Sequence, residues 1–238
     1  MWYKLKRILI YPDGVTEKQV YPKYEWKPDA SRTLLYLPLE SNATDQSWNS
    51  RSTSATNVSY TTVWWLASAS IPSNWYITIP DNMVSYSTSE MTVSCLLYTT
   101  TAQSSTRRCI LWMLKNWVSW NAIQYAENNT VLWNFIWWDS LWLDTSKPIN
   151  EWFHIVVTCD SSSHNMYLNW VKVATWTWST RPRWTKSNTT NDACRIGNGN
   201  TWSQWLAGNM REMILEKKKR SDEDVSKYYQ RIKSKLWI

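Results

Sequence analysis

The stretch MYLNWVKVAT, residues 166–175, has the spacing of a tight β-hairpin. Two alternating runs, Met166–Leu168 and Val171–Val173, flank the central residues Asn169 and Trp170. A two-residue hairpin turn needs positive φ at both central positions, so Asn-Gly or Asp-Gly is the usual choice. The pattern predicts a hairpin in which the tryptophan at position 170 is anomalous.

Tryptophan also stands at other positions where turns favour glycine. The chain has 21 Trp and 4 Gly, although glycine makes up about 7% of an average protein. Trp48, Trp75 and Trp117 each neighbour Ser or Asn, which accompany glycine in turns. Our hypothesis is that many of these codons are UGA, read as glycine in the source organism and translated here as tryptophan. The alternative is a truly tryptophan-rich protein whose exposed rings stack on sugars.

Short strand-like segments bounded by Ser, Thr and Asn occupy most of the chain. β-Branched and aromatic residues are enriched in them, and no long helical period appears. This pattern predicts an all-β fold, an antiparallel two-sheet sandwich. The clearest predicted strands are 32–39, 75–79, 91–98, 109–114, 122–125, 131–136, 141–143, 153–159, 166–168, 171–175, 194–196 and 209–215.

One helix is predicted near the end of the chain, at about residues 221–236. Ser221 to Asp224 form a capping box of the Ser-x-x-Asp kind, which marks a helix start. Apolar and aromatic side chains then recur with helical spacing from Val225 onward, so one helix face should pack on the sandwich. We expect the basic side chains of this helix to point mostly to water; they are Lys227, Arg231, Lys233 and Lys235.

Length and charge favour one domain without a nucleic-acid-binding role. We place the domain at residues 31–238, behind a basic leader or attachment segment at residues 1–30, because 238 residues suit a single large sandwich. The net charge of +7 lies mostly in the two terminal segments, which argues against a nucleic-acid-binding groove that follows phosphates.

No apolar run is long enough to span a membrane, and no signal peptide is evident. We expect a protein of a virion or of the cell surface.

Four segments of the chain follow one another as they do in a known family. They are LLYLPLESNATDQSWN (34–49), NWYITIP (74–80), EWFHIVVTCDSSSHNMYLNWVKVAT (151–175) and LAGNMREMILEKKKRSDEDVSKYY (206–229). Together they resemble a laminin G-like domain of the concanavalin A-like lectin/glucanase type. The resemblance covers about residues 33–232 and implies a jelly roll closed by a C-terminal helix. It also implies glycine at positions 48, 75 and 170, which are turn positions singled out above.

The chain lacks the motif with which glucanases of this fold hydrolyse sugars. That motif is a Glu-x-Asp-x-Glu strand, and retaining enzymes hold two carboxylates about 5–5.5 Å apart. Glu212 and Glu216 are four residues apart, and Glu212 matches a structural position of the family. His154 lies in a strand-like run and His164 in what we interpret as a polar turn, and neither has a nucleophile motif nearby. We therefore predict that the protein is not an enzyme.

No motif requires a cofactor, and calcium is the one that the resemblance allows. Some members of the family hold an ion at the sandwich rim with an aspartate and carbonyl oxygens. Asp160, which follows the central predicted strand, is the ligand implied here, and a turn-capping aspartate is the alternative. The four cysteines have no zinc spacing, and we expect free, mostly buried thiols.

The function we expect is recognition through loops at the rim of the sandwich. The loops at 179–191 and 198–205 would bind a glycan or a cell-surface protein. The alternative is a structural component of a virion, tail fibre or surface assembly, a homo-oligomer that binds no glycan. The residues proposed for hydrogen bonding and stacking on a sugar are Arg181, Arg183, Trp184, Asn198 and Asn200.

Overall fold

β-Strands make up most of the part of the chain that the computed structural model describes. It describes residues 29–71, 75–79, 90–99, 108–115, 119–125, 131–136, 139–144, 148, 150–160, 162–177, 194–197, 206 and 208–236. The strands are β1 (Thr33–Leu37), β2 (Ser54–Thr56), β3 (Ser59–Val63), β4 (Leu66–Ile71), β5 (Tyr76–Ile79), β6 (Met91–Tyr98), β7 (Arg108–Lys115), β8 (Ser119–Tyr125), β9 (Val131–Ile136), β10 (Asp139–Asp144), β11 (Trp152–Cys159), β12 (Ser163–Leu168), β13 (Val171–Thr177), β14 (Cys194–Ile196) and β15 (Gly208–Glu216). The helix α1 spans Asp222–Leu236.

These strands form two antiparallel sheets. The eight-stranded sheet has the order β13-β12-β11-β6-β15-β4-β3, and β1 also pairs with β15. The seven-stranded sheet has the order β10-β9-β8-β7-β14-β5-β2. Strands that are distant in sequence, such as β6 and β15, are neighbours in the sheet. The predicted all-β jelly-roll sandwich with one C-terminal helix is therefore confirmed.

Three strands at the start of the domain are absent from the predicted set. They are β2, β3 and β4, which occupy Ser54–Ile71 and are rich in Ser, Thr and Ala. Most side chains of β2 and β3 are exposed, so these strands carry little apolar alternation. The strands β2 and β3 lie at the ends of the two sheets, where only one neighbour has to be satisfied. The strand β4 lies between β15 and β3 and is mostly buried.

The strand β11 is buried on both faces, which explains its continuous apolar sequence. Phe153, Ile155 and Val157 face the main core, which lies between the two sheets. Val156 contacts the helix instead, in a cluster with Val225. Side chains packed beneath the helix form a further cluster of Leu66, Leu96, Trp152, Ile214, Tyr228 and Ile232. The helix thus serves as a third layer on the outer face of the eight-stranded sheet.

The helix begins as its sequence predicts. The Ser221 hydroxyl accepts a hydrogen bond from the Asp224 N–H at 3.1 Å, and the Ser221 carbonyl accepts one from the Val225 N–H. One expectation about its basic side chains is wrong: Arg231 is largely buried and pairs with Glu212 at 3.4 Å. Among the described residues, no helix combines the length and apolar character that a bilayer crossing requires.

The hairpin between β12 and β13 has the turn geometry that its sequence predicts. Asn169 and Trp170 have φ values of 48° and 71°, so both central residues are left-handed, as a tight hairpin turn demands. The Asn169 side chain also accepts a hydrogen bond from the backbone N–H of His154 at 2.8 Å. The Asn169 N–H donates to the His154 carbonyl at 2.8 Å. The turn is therefore anchored to the buried strand β11.

Both histidines are buried and lie in strands. His154 Nε2 lies 2.9 Å from the Ser94 hydroxyl, and its ring stacks near Tyr229. Burial, together with the charges of Arg220 and Arg231, lowers the pKa of His154 to about 3. His164 belongs to β12 rather than to a polar turn, which corrects the sequence interpretation. Burial and the charge of Lys219 lower its pKa to about 4.

The Asn169 side chain should contribute more to stability than an equivalent turn asparagine. We expect Asn169→Ala to lower the free energy of unfolding by about 2–3 kcal/mol, because alanine disfavours positive φ and leaves the buried His154 N–H without its acceptor. Asn57→Ala is the matched control, since Asn57 has φ 56° at an exposed position. That variant should lose only about 1 kcal/mol. Urea unfolding measures both, and equal losses would contradict the anchoring role.

The two histidines should make the fold less stable as the pH falls from about 6.5 to about 4. Unfolded histidines bind protons near pH 6.5, whereas the folded ones have pKa values of about 3 and about 4. Stability is therefore complete above pH 6.5 and declines below it, by at most about 1.4 kcal/mol per pH unit for each histidine. Urea unfolding between pH 4.5 and 7 should show a shallower slope for His154→Gln than for the parent chain. Parallel slopes would refute this contribution.

Candidate functional site

A basic cleft opens where the helix meets the end of β15. Its volume is about 310 Å³. Three segments form it: the turn before β1, the segment between β15 and α1, and the first turns of α1. We call it the basic cleft, and its lining residues are Asp29, Arg32, Glu216, Lys218, Lys219, Arg220, Asp224, Lys227, Tyr228 and Arg231.

The floor of the basic cleft is a tyrosine ring between two guanidinium groups. The Arg220 and Arg231 guanidinium carbons lie 4.7 Å and 4.4 Å from the centre of the Tyr228 ring, which is the range of a cation–π contact. The Tyr228 hydroxyl donates a hydrogen bond to Glu212 Oε2 at 3.1 Å. Burial and the nearby Glu212 charge hold the pKa of Tyr228 well above its usual value. The ring therefore stays neutral.

Buried carboxylates fix the two guanidinium groups of the floor. Arg220 donates from Nε to Glu216 Oε2 at 2.5 Å and from Nη2 to Glu216 Oε1 at 2.9 Å. Burial alone would lower the pKa of Arg220, but the hydrogen bonds and charge of Glu216 raise it. Arg231 reaches Glu212 Oε2 at 3.4 Å. The two pairs thus fix the floor, and the carboxylates of Glu216 and Glu212 balance the charges of Arg220 and Arg231.

Exposed lysines form the rim of the basic cleft. Lys218 and Lys227 are exposed, and Lys227 Nζ lies 2.5 Å from Glu223 Oε1 in an exposed pair. Arg32 Nε pairs with Asp29 Oδ2 at 3.0 Å. Exposed pairs of this kind exchange readily with water and ligands, because they are worth only about 0–1 kcal/mol. The rim charges are therefore available to a ligand, whereas the floor charges are fixed.

Glu212 and Glu216 serve the structure of the cleft. Glu212 lies at an irregularity of β15, where its φ is 50° and its N–H donates to the Pro38 carbonyl at 3.1 Å. Both side chains are buried. Since Glu212 binds Tyr228 and Glu216 binds Arg220, neither carboxylate is free to act as a nucleophile or a general acid.

Asp160 caps the turn between β11 and β12 and binds a lysine. Its Oδ1 accepts hydrogen bonds from the N–H groups of Ser162 and Ser163, both at 2.7 Å. Its Oδ2 lies 2.6 Å from Lys219 Nζ. Partial burial would raise the pKa of Asp160, but these donors lower it well below its usual value. The described residues hold no cluster of three metal-binding side chains, and calcium binding at Asp160 stays a prediction.

The other predicted site residues lie outside the described residues. They are Arg181, Arg183, Trp184, Asn198 and Asn200, in the loops 179–191 and 198–205. Eight of the ten residues that line the basic cleft lie between Glu216 and Arg231, and the other two lie in the turn before β1. Sequence reasoning missed the cleft because only the packing of the helix against β15 brings these side chains together. One local signal was present: the run Lys217–Arg220 directly precedes the capping box of the helix.

Comparisons with known structures find the same fold. Domain 4 of AbnA, an extracellular GH43 arabinanase from Geobacillus stearothermophilus in complex with arabinotriose, has a TM-score of 0.67 at 16% identity; the match covers 85% of this chain and 100% of that one. The botulinum neurotoxin serotype G binding domain gives 0.65 at 16% identity and 85% coverage. The structure titled "Cell entry of botulinum neurotoxin type C is dependent upon interaction with two ganglioside molecules" gives 0.59 at 14% identity and 85% coverage. The matches cover 51% of both neurotoxin chains.

The amino-acid sequence of the chain matches a family model. No curated protein sequence matches it significantly. The family model described as the concanavalin A-like lectin/glucanases superfamily, of the laminin G type, matches residues 71–226, which is more than half of the chain. With its two antiparallel sheets and the covering helix, the chain belongs to the laminin G-type branch of the concanavalin A-like lectin/glucanase superfamily.

Proposed function

We propose that this protein is a non-catalytic recognition module that binds a carbohydrate or a protein surface. The observation that carries the proposal is the basic cleft, an open cavity with a rigid floor and exchangeable charges at its rim. Concave sites with a few convergent polar groups are typical of ligand binding. A rigid floor also favours binding, because fixed side chains lose little further entropy when a ligand arrives.

The similar structures support a binding role. The arabinanase domain is in complex with arabinotriose. The first neurotoxin structure is a binding domain, and cell entry of the type C neurotoxin depends on interaction with two ganglioside molecules. At sequence identities of 14–16%, these similarities show a shared fold only.

The acidic groups of the basic cleft do not suit glycoside hydrolysis. Such hydrolysis needs one carboxyl group whose pKa is raised so that it can act as an acid. Hydrogen bonds from Ser31 lower the pKa of Asp29, and Arg220 engages both oxygens of Glu216. Asp224 is exposed in the first turn of the helix. The described carboxylates of the cleft therefore favour binding over catalysis.

The rim loops 179–191 and 198–205 remain the second region that we propose for ligand contact. Arg181, Arg183 and Trp184 combine hydrogen-bond donors with an aromatic ring, the combination that suits a sugar face. Asp160 is the residue that we propose for a calcium ion. We propose a glycan or a cell-surface protein as the partner, and a virion or the cell surface as the location.

The alternative function is assembly without glycan binding. The observation that favours it is a set of exposed apolar side chains at two hairpin tips, Trp64, Trp65, Trp170 and Val171. Exposed apolar groups at sheet edges can pair with another copy of the chain. In this version the domain would act as a homo-oligomeric part of a virion or fibre.

Glycan-array binding and native mass together distinguish the two functions. We expect a monomer that binds a subset of glycans or a surface protein. The variant Arg181→Ala/Arg183→Ala reports on the rim loops, and Lys218→Gln/Lys227→Gln reports on the basic cleft; loss of binding in only one of them locates the ligand. A stable oligomer that binds neither glycans nor surface proteins would refute recognition and support assembly.

A further inference from the structure

We infer that the edge strand β3 pairs with the β3 strand of a second copy of this chain, in a reversible symmetric dimer. This inference goes beyond the proposed recognition function. It rests on the backbone of Ser59–Val63, which lies at one end of the eight-stranded sheet and has β4 as its neighbour. Three of its five side chains, those of Ser59, Thr61 and Thr62, are exposed, so a further strand can approach this edge.

The sequence around β3 lacks the features that protect a sheet edge. Natural edge strands carry charged side chains, proline or a bulge, or are very short, because an open row of N–H and C=O groups pairs with other chains. No charged residue and no proline occurs from residue 52 to residue 71. The ladder between β3 and β4 is regular, without a register shift. The strand therefore offers a neutral and uninterrupted edge.

The other sheet ends that the structure describes are protected. The strand β13 carries Lys172 and has a register shift in its ladder with β12. The strand β10 begins with Asp139 and ends with Asp144, and β2 has only 3 residues. The strand β1 pairs with β15, and the Asp45 side chain accepts the N–H of Tyr36 in β1. This contrast distinguishes β3 from the other edges.

The hairpin between β3 and β4 determines which backbone groups of β3 point outward. Val63 and Leu66 pair across a two-residue turn, and the pair that flanks such a turn exchanges both backbone hydrogen bonds. Hydrogen-bonded pairs then alternate with non-hydrogen-bonded pairs along an antiparallel ladder. The backbone groups of Tyr60 and Thr62 therefore point away from β4. A second strand can bind them without disturbing the hairpin.

These outward groups are self-complementary about Thr61. When two β3 strands run antiparallel with their Thr61 residues opposite each other, Tyr60 of each copy lies opposite Thr62 of the other. Both residues direct their N–H and C=O to the second copy, so about four hydrogen bonds form. The two Thr61 residues make a non-hydrogen-bonded pair, in which side chains lie closest and threonines are favourable neighbours. No like charges meet, because the strand is neutral.

The dimer is closed and weak. A two-fold interface uses the β3 edge of both copies completely, so this contact does not extend beyond two copies. A contact of 5 residues from each chain is small, and small interfaces are weak and transient. The chain is therefore a monomer in dilute solution and dimerises with a Kd on the order of 10–100 µM.

The consequence for binding rests on the proposed recognition function. A dimer carries two copies of the ligand site, which raises the avidity for a surface that displays many ligands. The dimer itself forms without a ligand. Failure of dimerisation and failure of recognition are therefore distinguishable, because the measurements below use the free chain.

Charged substitutions at the two-fold axis test the dimer. In Thr61→Lys and in Thr61→Glu, two like charges lie directly opposite each other, which destabilises the contact. We expect the parent chain to approach the mass of a dimer in sedimentation velocity as its concentration rises from about 2 to about 300 µM, and each variant to raise the Kd about tenfold. An equimolar mixture of the two variants should restore the dimer, because opposite charges then meet.

Ser59→Lys is the matched control. Ser59 is exposed, lies on the same face of β3 as Thr61, and is opposite Val63 of the second copy in this register. The control should keep the Kd of the parent chain within about threefold, since its charge meets no like charge. Equal losses in Ser59→Lys and Thr61→Lys would overturn the pairing about Thr61. A parent chain that stays a monomer throughout would overturn the dimer and leave the edge for a strand of another protein.

Disulfide cross-linking measures the register independently. Residues opposite each other in a non-hydrogen-bonded pair have Cα atoms about 4.5 Å apart, a separation that a disulfide spans. We expect Thr61→Cys to form a covalent dimer under mild oxidation. Ser59→Cys should stay monomeric, because the two Ser59 residues lie at opposite ends of the paired strands, and the parent chain controls for the natural cysteines. Absence of the Thr61→Cys cross-link, or equal cross-linking of both variants, would overturn the inference.

Discussion

The contact between Glu212 and the helix organises the outer layer of the sandwich. Glu212 lies on β15 with φ 50°, and its carboxylate receives the Tyr228 hydroxyl and approaches Arg231. A buried carboxylate must be matched by donors, because an uncompensated charge in this environment is costly. The requirement fixes which face of α1 turns toward the sheet. It therefore also fixes the Tyr228 ring that forms the floor of the basic cleft.

The same helix explains why the central strand is apolar along its whole length. In a two-layer sandwich one face of each strand meets the core, and the other face can remain polar. Here α1 covers the outer face of β11 and β6, so Trp152, Val156 and Leu96 are buried as well. Burial of His154 beneath the helix follows from this third layer. The Ser94 hydroxyl and the Tyr229 ring then contact the His154 imidazole.

Local sequence chemistry predicts most of the strands and the helix. It does not predict which side chains from different elements contact one another. The hairpin at residues 166–175 and the capping box at Ser221 were predictable, since turn stereochemistry and helix capping depend on neighbouring residues. The strands β2 and β3 were missed because exposed, Ser- and Thr-rich edge strands lack apolar alternation. The strand β4 was missed because its middle consists of small Ala and Ser side chains. His164 and Arg231 were misplaced for a different reason: polar side chains become buried only when a partner from a distant segment reaches them. The basic cleft depends on the packing of α1 against β15 and on the turn before β1.

Two surfaces could bind a ligand, the exposed rings at the tip of the β3–β4 hairpin and the basic cleft. Only the first depends on whether the turn tryptophans are natural. An aromatic platform of Trp64, Trp65 and Tyr98 exists only if positions 64 and 65 are tryptophan in the natural protein. The Trp64 ring lies 5.5 Å from Trp65 in a tilted contact and 5.9 Å from Tyr98 in an edge-on contact. No tryptophan is among the described residues that line the basic cleft. Its floor and rim depend on Arg, Lys and Tyr side chains and on the buried carboxylates beneath them. A recoded UGA would remove the aromatic platform and leave the cleft intact, which makes the cleft the stronger basis for a function.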